Sequence, residues 1–128
     1  MGRFVLAIDQ GTTGSTVALM DARGELRGSV NFEFSQIYPQ PGWVEHRPAD
    51  IWHSVGKGIS AILRKKICKP SEIVAIGITN QRETALLWDR DTGEPLNNAV
   101  VWQCRRTTDF CESLRAAGHE QSVRRKTG

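Results

Sequence analysis

Apolar positions in this chain fall into short runs with two periods. Phe4–Ile8 is apolar and stops at Asp9 and a Gly-containing loop, which reads as a buried strand. Thr16–Met20 reads as a second strand, Asp21-Ala22-Arg23-Gly24 as a turn, and Leu26–Phe34, which alternates imperfectly, as a third strand. Connections this short favour an antiparallel meander. Gln36 to Pro48 is a loop broken by Pro39, Pro41-Gly42 and Pro48, with Tyr38 and Trp43 expected to pack it onto the domain. Pro48-Ala49-Asp50 opens a helix, because proline suits the first turn and an acid suits its positive end. Ile51, Trp52, Val55, Ile59, Ile62 and Leu63 follow the helical period and define its buried face. Gly56 and Gly58 weaken that helix, so close packing against the sheet is the expected compensation.

Beyond the helix the pattern changes again. Ile73–Thr79 is almost wholly apolar, which predicts a strand buried on both faces. Ala85–Trp88 and Ala99–Trp102 flank Asp89-Arg90-Asp91-Thr92-Gly93, a second hairpin signal. Thr107–Ala117 reads as a helix with Phe110, Cys111 and Leu114 on one face and Gly118 as its stop. Glu120 to Gly128 shows no closing element. The expected order is β-β-β-α-β, then a hairpin, then a helix.

Chemistry concentrates where the first strand ends. Asp9-Gln10-Gly11-Thr12-Thr13-Gly14-Ser15 joins a carboxylate to a loop of glycines and hydroxyls. Gly11 and Gly14 allow backbone amides close to a ligand, and Thr12, Thr13 and Ser15 add hydroxyl donors. Such nests suit phosphate oxygens, and a neighbouring carboxylate suits Mg²⁺ or its water shell. A plain hairpin turn fits the same spacing, and spacing alone leaves both open. A second polar cluster, Thr79-Asn80-Gln81-Arg82-Glu83, ends the apolar run at 73–79.

With 128 residues the chain is the size of one domain. It is short for an enzyme that must hold a nucleotide, a metal and a second substrate between lobes. Hydrophobic content of 39% and charged content of 24% are those of an ordinary globular domain. No apolar run reaches the length of a membrane span, and the N-terminus lacks a charged-then-apolar leader pattern, so a cytoplasmic protein is the expectation. Cys68, Cys104 and Cys111 are odd in number and widely spaced, which argues against a disulfide framework, and no Cys or His pair has zinc-site spacing. His46, His53 and His119 stand alone, with nothing nearby to form a base–nucleophile pair. The net charge of +3 comes from the second half, in the clusters Arg64-Lys65-Lys66, Arg105-Arg106 and Arg124-Arg125-Lys126. These lack aromatic interleaving, so a nucleic-acid partner is the weakest of the functional readings.

Five segments in order carry a resemblance: Asp9-Gln10-Gly11-Thr12-Thr13, Gln36-Ile37-Tyr38-Pro39, Pro41-Gly42-Trp43-Val44-Glu45-His46, Gly77-Ile78-Thr79-Asn80-Gln81-Arg82-Glu83-Thr84 and Val101-Trp102-Gln103-Cys104-Arg105-Arg106-Thr107. Together they resemble the N-terminal part of the glycerol kinases, within the carbohydrate kinase family. The resemblance implies an α/β fold of the ribonuclease-H-like, actin-like ATPase type, with a mixed sheet, covering 1–128 as an incomplete N-terminal part of the first lobe. It implies ATP and glycerol as ligands and Mg²⁺ as the metal, near Asp9. By the same analogy Gly11, Thr12, Thr13, Gly14 and Ser15 face the nucleotide phosphates. Arg82 and Glu83 hydrogen-bond the polyol hydroxyls, and Trp102 walls its carbon face. Each role is chemically apt: a carboxylate accepts from hydroxyls, a guanidinium donates to them, and a small-molecule pocket combines apolar walls with few polar groups. Without the analogy, Asp9 reads as a turn residue, Arg82–Glu83 as a surface charge pair and Trp102 as core. Trp43, Trp52 and Trp88 read as core or loop packing.

Two departures qualify the likeness. The family commonly has Ser-Ser-Arg or Ser-Thr-Arg after the Thr-Thr pair, whereas this chain has Gly14-Ser15-Thr16. Thr16 replaces an arginine able to reach phosphate, leaving one charge-assisted contact fewer. Glycerol kinases are also several-fold longer, and the resemblance places their catalytic aspartate beyond Gly128. No catalytic base is therefore expected in this chain, no turnover is expected from it alone, and homo-oligomerisation is an expectation for the longer protein. Exposed sheet edges and apolar patches are expected as well. The rival readings are a kinase of another polyol or a ketose, and a non-catalytic binding or dimerisation module.

Overall fold

The computed structural model describes residues 3–128, so the first two positions of the domain expected over 1–128 lie outside the described residues. Three strands open the chain: β1 (Phe4–Gln10), β2 (Gly14–Asp21) and β3 (Leu26–Glu33). They form the expected antiparallel meander, with Ile8 opposite Val17 and Val17 opposite Val30. The second turn is set by Asp21, whose Oδ1 accepts from the backbone N–H of Arg23 at 2.9 Å and of Glu25 at 3.0 Å. Gly24 supplies the left-handed residue that this turn needs (φ 79°).

A short strand, β4 (Glu45–His46), precedes helix α1 (Pro48–Arg64). The helix starts on Pro48 with Asp50 in its first turn, and crosses over so that β5 (Ile73–Asn80) pairs parallel to β1. Sheet order is β3-β2-β1-β5. Period-two alternation turns Leu6, Ile8, Val17 and Leu19 toward α1, where they close on Ile62, and Val55, Ile59 and Leu63 pack around them. Of the two helix glycines expected to pack closely, Gly56 faces open space and only Gly58 does so. A Cβ there would sit 2.5 Å from Val17 Cγ2, so only glycine lets α1 approach this near. Burying the five central side chains supplies the main driving force for this layer.

The helix face differs from the expected one at one end. Trp52 is 76% exposed, while Val55, Ile59, Ile62 and Leu63 meet the core as expected and the fully buried positions of the helix are Ser54, Gly58 and Ile62. The apolar stripe of α1 is wider than the surface it covers. A second correction concerns β5, which is an edge strand rather than one buried on both faces. Val74, Ile76 and Ile78 are all exposed, because the sheet ends at β5 and α1 lies against β1, β2 and β3. This matches the exposed edge expected of an incomplete sheet.

The second half is held differently. β6 (Ala99–Val100) pairs antiparallel with β4, forming a two-stranded sheet that the sequence pattern did not suggest. The hairpin expected around Asp89–Gly93 is present only as isolated bridges, Ala85 to Val100 and Trp88 to Pro95, around a turn in which Asp89 Oδ1 accepts from the N–H of Asp91 and Thr92. Tyr38 is exposed and does not pack its loop down, and Trp88 is likewise exposed. Helix α2 (Thr108–Ala116) stops at Gly118 (φ 78°) as expected. The tail then forms a further helix, α3 (Glu120–Thr127), where none was expected. Its low apolar content hides it from periodicity, and its support is electrostatic. Glu120 lies in the first turn, bonded to Arg124, and Arg124, Arg125 and Lys126 lie in the last. Among the described residues no helix is long and apolar enough to cross a membrane.

Candidate active site

The first half of the site is the β1–β2 turn. Gly11 N–H donates to the Gly14 carbonyl at 2.9 Å, which closes the loop and leaves Thr12 and Thr13 at its tip. Thr13 is exposed and Thr12 half-buried. Gly14 already belongs to β2, and its Cβ position is filled by the Phe32 carbonyl at 2.8 Å. Its glycine therefore serves strand packing. Ser15 needs correction as a phosphate contact. It is completely buried on the helix side of β2, with its hydroxyl 2.7 Å from that of Ser54 on α1. Alternation along β2 decides this, because Ser15 shares a face with Val17 and Leu19. The part of the loop open to a ligand is Gly11, Thr12 and Thr13.

Asp9 points the other way from Ile8, toward the open face of the sheet. It stands in register with Thr16 on β2 and Thr79 on β5, and the three line a shallow cavity of about 350 Å³ with Ala7, Ala18 and Gly77. The Thr16 hydroxyl accepts from Asn31 Nδ2 at 2.9 Å, so it has a neutral partner on β3. Among the described residues no cluster of three or more His, Cys, Asp or Glu could cage a metal. A single carboxylate beside a hydroxyl-rich turn is compatible with Mg²⁺, which keeps several waters and is commonly held by one or two carboxylates.

The second half lies on loops. Arg82, Glu83 and Trp102 line one cavity of about 270 Å³, so the three residues expected around a polyol do come together. Glu83 has a left-handed backbone (φ 60°), a conformation unusual for a side chain of its size and typical of functional sites. Trp102 is 53% exposed and forms an open wall. Its indole Nε1–H donates to Thr12 Oγ1 at 3.0 Å. That bond joins the two halves directly, across 90 residues of sequence.

A buried polar chain joins them a second time. Gln81 Nε2 lies 3.1 Å from His46 Nδ1, His46 Nε2 lies 2.6 Å from Gln36 Oε1, and Gln36 Nε2 donates to the Thr12 carbonyl at 3.0 Å. His46 is fully buried, edge-on to Phe34, and burial holds its pKa below the ordinary value of 6.5. Sequence spacing gave no reason to single out these three residues, although each falls within or beside a segment that carries the resemblance. A further cluster fixes the segment that carries Trp102. Arg106 Nη2 donates to Glu45 Oε1 at 2.5 Å, its Nε donates to Cys104 Sγ at 3.0 Å, and its guanidinium lies 3.9 Å from the Trp43 ring centroid. The Arg106 bond, helped by Asn98, holds the Glu45 carboxyl below its usual range.

This arrangement, a hydroxyl-rich turn after an acidic strand end and a small polar pocket beside it, coincides with a known domain. A model of the FGGY family of carbohydrate kinases, N-terminal domain, matches residues 4–128. The chain belongs to this family. Among curated FGGY relatives, the glycerol kinase of Caldanaerobacter subterraneus subsp. tengcongensis is 50% identical over 128 residues, covering 100% of this chain and 26% of that protein. The glycerol kinase of Halothermothrix orenii is 53% identical over 126 residues, covering 98% of this chain and 25% of that protein. Among solved structures, Plasmodium falciparum glycerol kinase with ADP aligns with TM-score 0.79 and 34% identity, over 90% of this chain and 23% of that one. Ligand-bound xylulose kinase from Lactobacillus acidophilus aligns with TM-score 0.90 and 26% identity, over 98% of this chain and 25% of that one. The mixed α/β sheet is thus that of the actin-like FGGY kinases, and the chain spans about a quarter of the length of these relatives.

Proposed function

We propose that this chain is the N-terminal part of the first lobe of a kinase that transfers the γ-phosphoryl group of ATP to glycerol, giving sn-glycerol 3-phosphate. The observation that carries the reading is the Trp102–Thr12 hydrogen bond, because it makes a phosphate-type loop and a polyol-sized cavity share a wall. Similarity to glycerol kinases at about half identity over the whole chain supports glycerol as the polyol. In this reading Gly11, Thr12 and Thr13 donate to phosphate oxygens. Arg82 donates to one hydroxyl of the triol and Glu83 accepts from another, while Trp102 covers the carbon chain and disfavours substrates that lack the paired hydroxyls. Mg²⁺, held through its waters by Asp9, supplies charge neutralisation at the phosphates when bound. No base for the attacking hydroxyl is assigned within residues 4–128, so the chain by itself is read as inactive. A cytoplasmic location and homo-oligomerisation belong to the same proposal.

Because xylulose kinase shares the fold, the competing reading is a ketose substrate. A chimera decides between them: residues 4–128 replace the matching quarter of the Halothermothrix orenii glycerol kinase, and ATP-dependent phosphorylation of glycerol, xylulose and gluconate is compared. Glycerol should be the preferred substrate, and Arg82→Ala should raise its KM by about ten- to a hundredfold, the usual effect of losing a charged hydrogen bond. Glu83→Gly should relieve the left-handed backbone, keep or raise the melting temperature, and still lose glycerol turnover. Preference for xylulose would overturn the assignment.

A further inference from the structure

Both connections between the half-sites end on one residue. Thr12 accepts from Trp102 through its hydroxyl and from Gln36 through its carbonyl. The hydroxyl has one proton to give, and an indole N–H can only donate, so Trp102 leaves the Thr12 proton free to point toward a ligand. The donor pattern of the buried chain is equally determined. Gln36 Nε2 is committed to the carbonyls of Thr12 and Phe34, so Gln36 Oε1 must accept, and His46 Nε2 must carry the proton. His46 Nδ1 is then bare and accepts from Gln81 Nε2. Gln81 is followed directly by Arg82 and Glu83, the two residues of the polyol pocket. One neutral imidazole therefore stands between the backbone of the phosphate loop and the backbone of the polyol loop. The β1–β5 ladder already brings the two loops side by side, ending at Gln10 opposite Asn80, and His46, on β4, adds a side-chain route between them beyond the end of that ladder. Buried polar chains of this kind fix geometry through each bond made. Here every bond from Thr12 to Gln81 Nε2 is made, while Gln81 Oε1 at the far end is buried without a partner.

We propose that His46 is a positioning residue which, through Gln36 and Gln81, makes the Thr12 loop and the Arg82–Glu83 loop a single ordering unit. The proposal rests on reading those loops as two halves of one site. An opening of either loop then releases the other, and order imposed at one is felt at the other. Its chemistry also specifies what can replace the histidine. An amide nitrogen can donate to Gln36 Oε1 while the oxygen of the same amide accepts from Gln81, so glutamine reproduces the pattern and leucine does not.

The test uses the chain itself without ligand. Gly11 and Phe34 N–H groups, bonded to the Gly14 and Thr13 carbonyls, report on the phosphate loop in native-state hydrogen exchange. In His46→Leu both should exchange up to about tenfold faster, the scale set by one lost hydrogen bond, while amides of the β1–β2 ladder stay protected. In His46→Gln the protection should return. Gln81→Met, altered at the far end of the chain, should also speed Gly11 and Phe34. The ¹⁵N spectrum of the wild-type imidazole at neutral pH should show a protonated Nε2 and a bare Nδ1. Unchanged exchange at Gly11 and Phe34 in His46→Leu and Gln81→Met, failure of His46→Gln to restore it, or a protonated Nδ1 would each overturn the proposal. Because no substrate enters the experiment, its failure is separate from failure of the glycerol assignment, which the chimera tests.

Discussion

Residues 4–80 and residues 81–128 are two different kinds of structure, and each carries one half of the proposed site. The first is a four-stranded sheet with one helix laid on it, and its turn at 11–13 is fixed because the strands on either side are in register and buried on one face. The second has one two-residue strand, isolated bridges and short helices, and each of its large apolar side chains at Leu87, Trp88, Leu96, Trp102 and Phe110 is exposed. What places Trp102 and Glu83 is a small anchor and a handful of polar contacts. The anchor is the buried Ala99 and Val101, with the backbone bonds of Val100 to Ala85 and of Val101 to Val44. The polar contacts are Arg106 with Glu45 and Trp43, His46 with its two glutamines, and Trp102 with Thr12. If the turn at 11–13 binds phosphate, as proposed, it gains from a rigid frame, since its amides must be preorganised. On the proposed reading, a pocket that must admit and release a small triol gains from walls held by fewer contacts.

The largest effect that would expose this contrast is in the sheet half. Ile62 is 2% exposed at the centre of the core cluster, and Ile62→Ala should cost about 3 kcal/mol by removing methylenes and leaving a cavity. Urea denaturation should show a lower midpoint, with the Trp102 and Thr12 signals lost in the same transition. If the second half unfolded separately and earlier, in the variant and in the parent chain alike, the two regions would be independent rather than one stacked on the other.

Arg106→Ala is the matching change in the second half. The Arg106 and Glu45 side chains are only 22% and 15% exposed, so removing the guanidinium strands a carboxylate that is mostly out of water and uncovers the Trp43 ring. About 2 kcal/mol of destabilisation is expected, from a charged hydrogen bond and the lost stack. Its distribution matters more than its size. Amides of Ala85 and Val100, which bond each other's carbonyls, should exchange faster, while those of Val17 and Leu19 should not change. Uniform loosening across β1 and β2 would show that Arg106 supports the whole fold.

The contrast also explains what the sequence revealed. The meander, α1 and the close approach at Gly58 were legible because period-two and helical patterns report burial by a neighbour close in sequence. Ser15 was misread because its chemistry suggested a ligand, while its place in the alternation, next to Val17 on the helix face, decided its fate. β5 reads as fully buried because a strand's composition records every surface it is suited to meet, and in this chain the sheet stops there. Asp9, Thr12, Arg82, Glu83 and Trp102 are candidates from the family resemblance; the structure brings Arg82, Glu83 and Trp102 to one cavity and adds the pairing of Trp102 with Thr12, which no local pattern encodes. Gln36, His46 and Gln81 stayed hidden for the same reason. The interactions that matter for them span 35 residues between His46 and Gln81 and 24 between Gln36 and Thr12. α3 was missed because a polar helix held by charges carries little periodic signal.

The smallest expected effect is also the most specific, and it concerns pH. Burial lowers the His46 pKa from its ordinary 6.5, so the unfolded chain takes up a proton on this ring at a higher pH than the folded chain does. Folded stability should therefore be complete above about pH 6.5 and decline as pH falls through the interval between the two values. Protonation also places an N–H at Nδ1 against the amide of Gln81, which must turn its oxygen inward to remain bonded. Glu45 acts in the same direction lower down. Its carboxyl is held below 4.5 by Arg106 and Asn98, so the stability it contributes is present above that value and lost in more acid solution. Asp21 and Asp89, lowered by the N–H groups of their turns, add to that acid step. Melting temperature against pH should thus fall in two stages, a shallow one beginning near 6.5 and a steeper one below 4.5. Only the first belongs to the relay, and its slope cannot exceed that of one proton. His46→Gln should abolish the shallow stage and leave the steep one. Persistence of the shallow stage in that variant would place its origin elsewhere and remove His46 from any part in tying the two regions together as the solution turns acid.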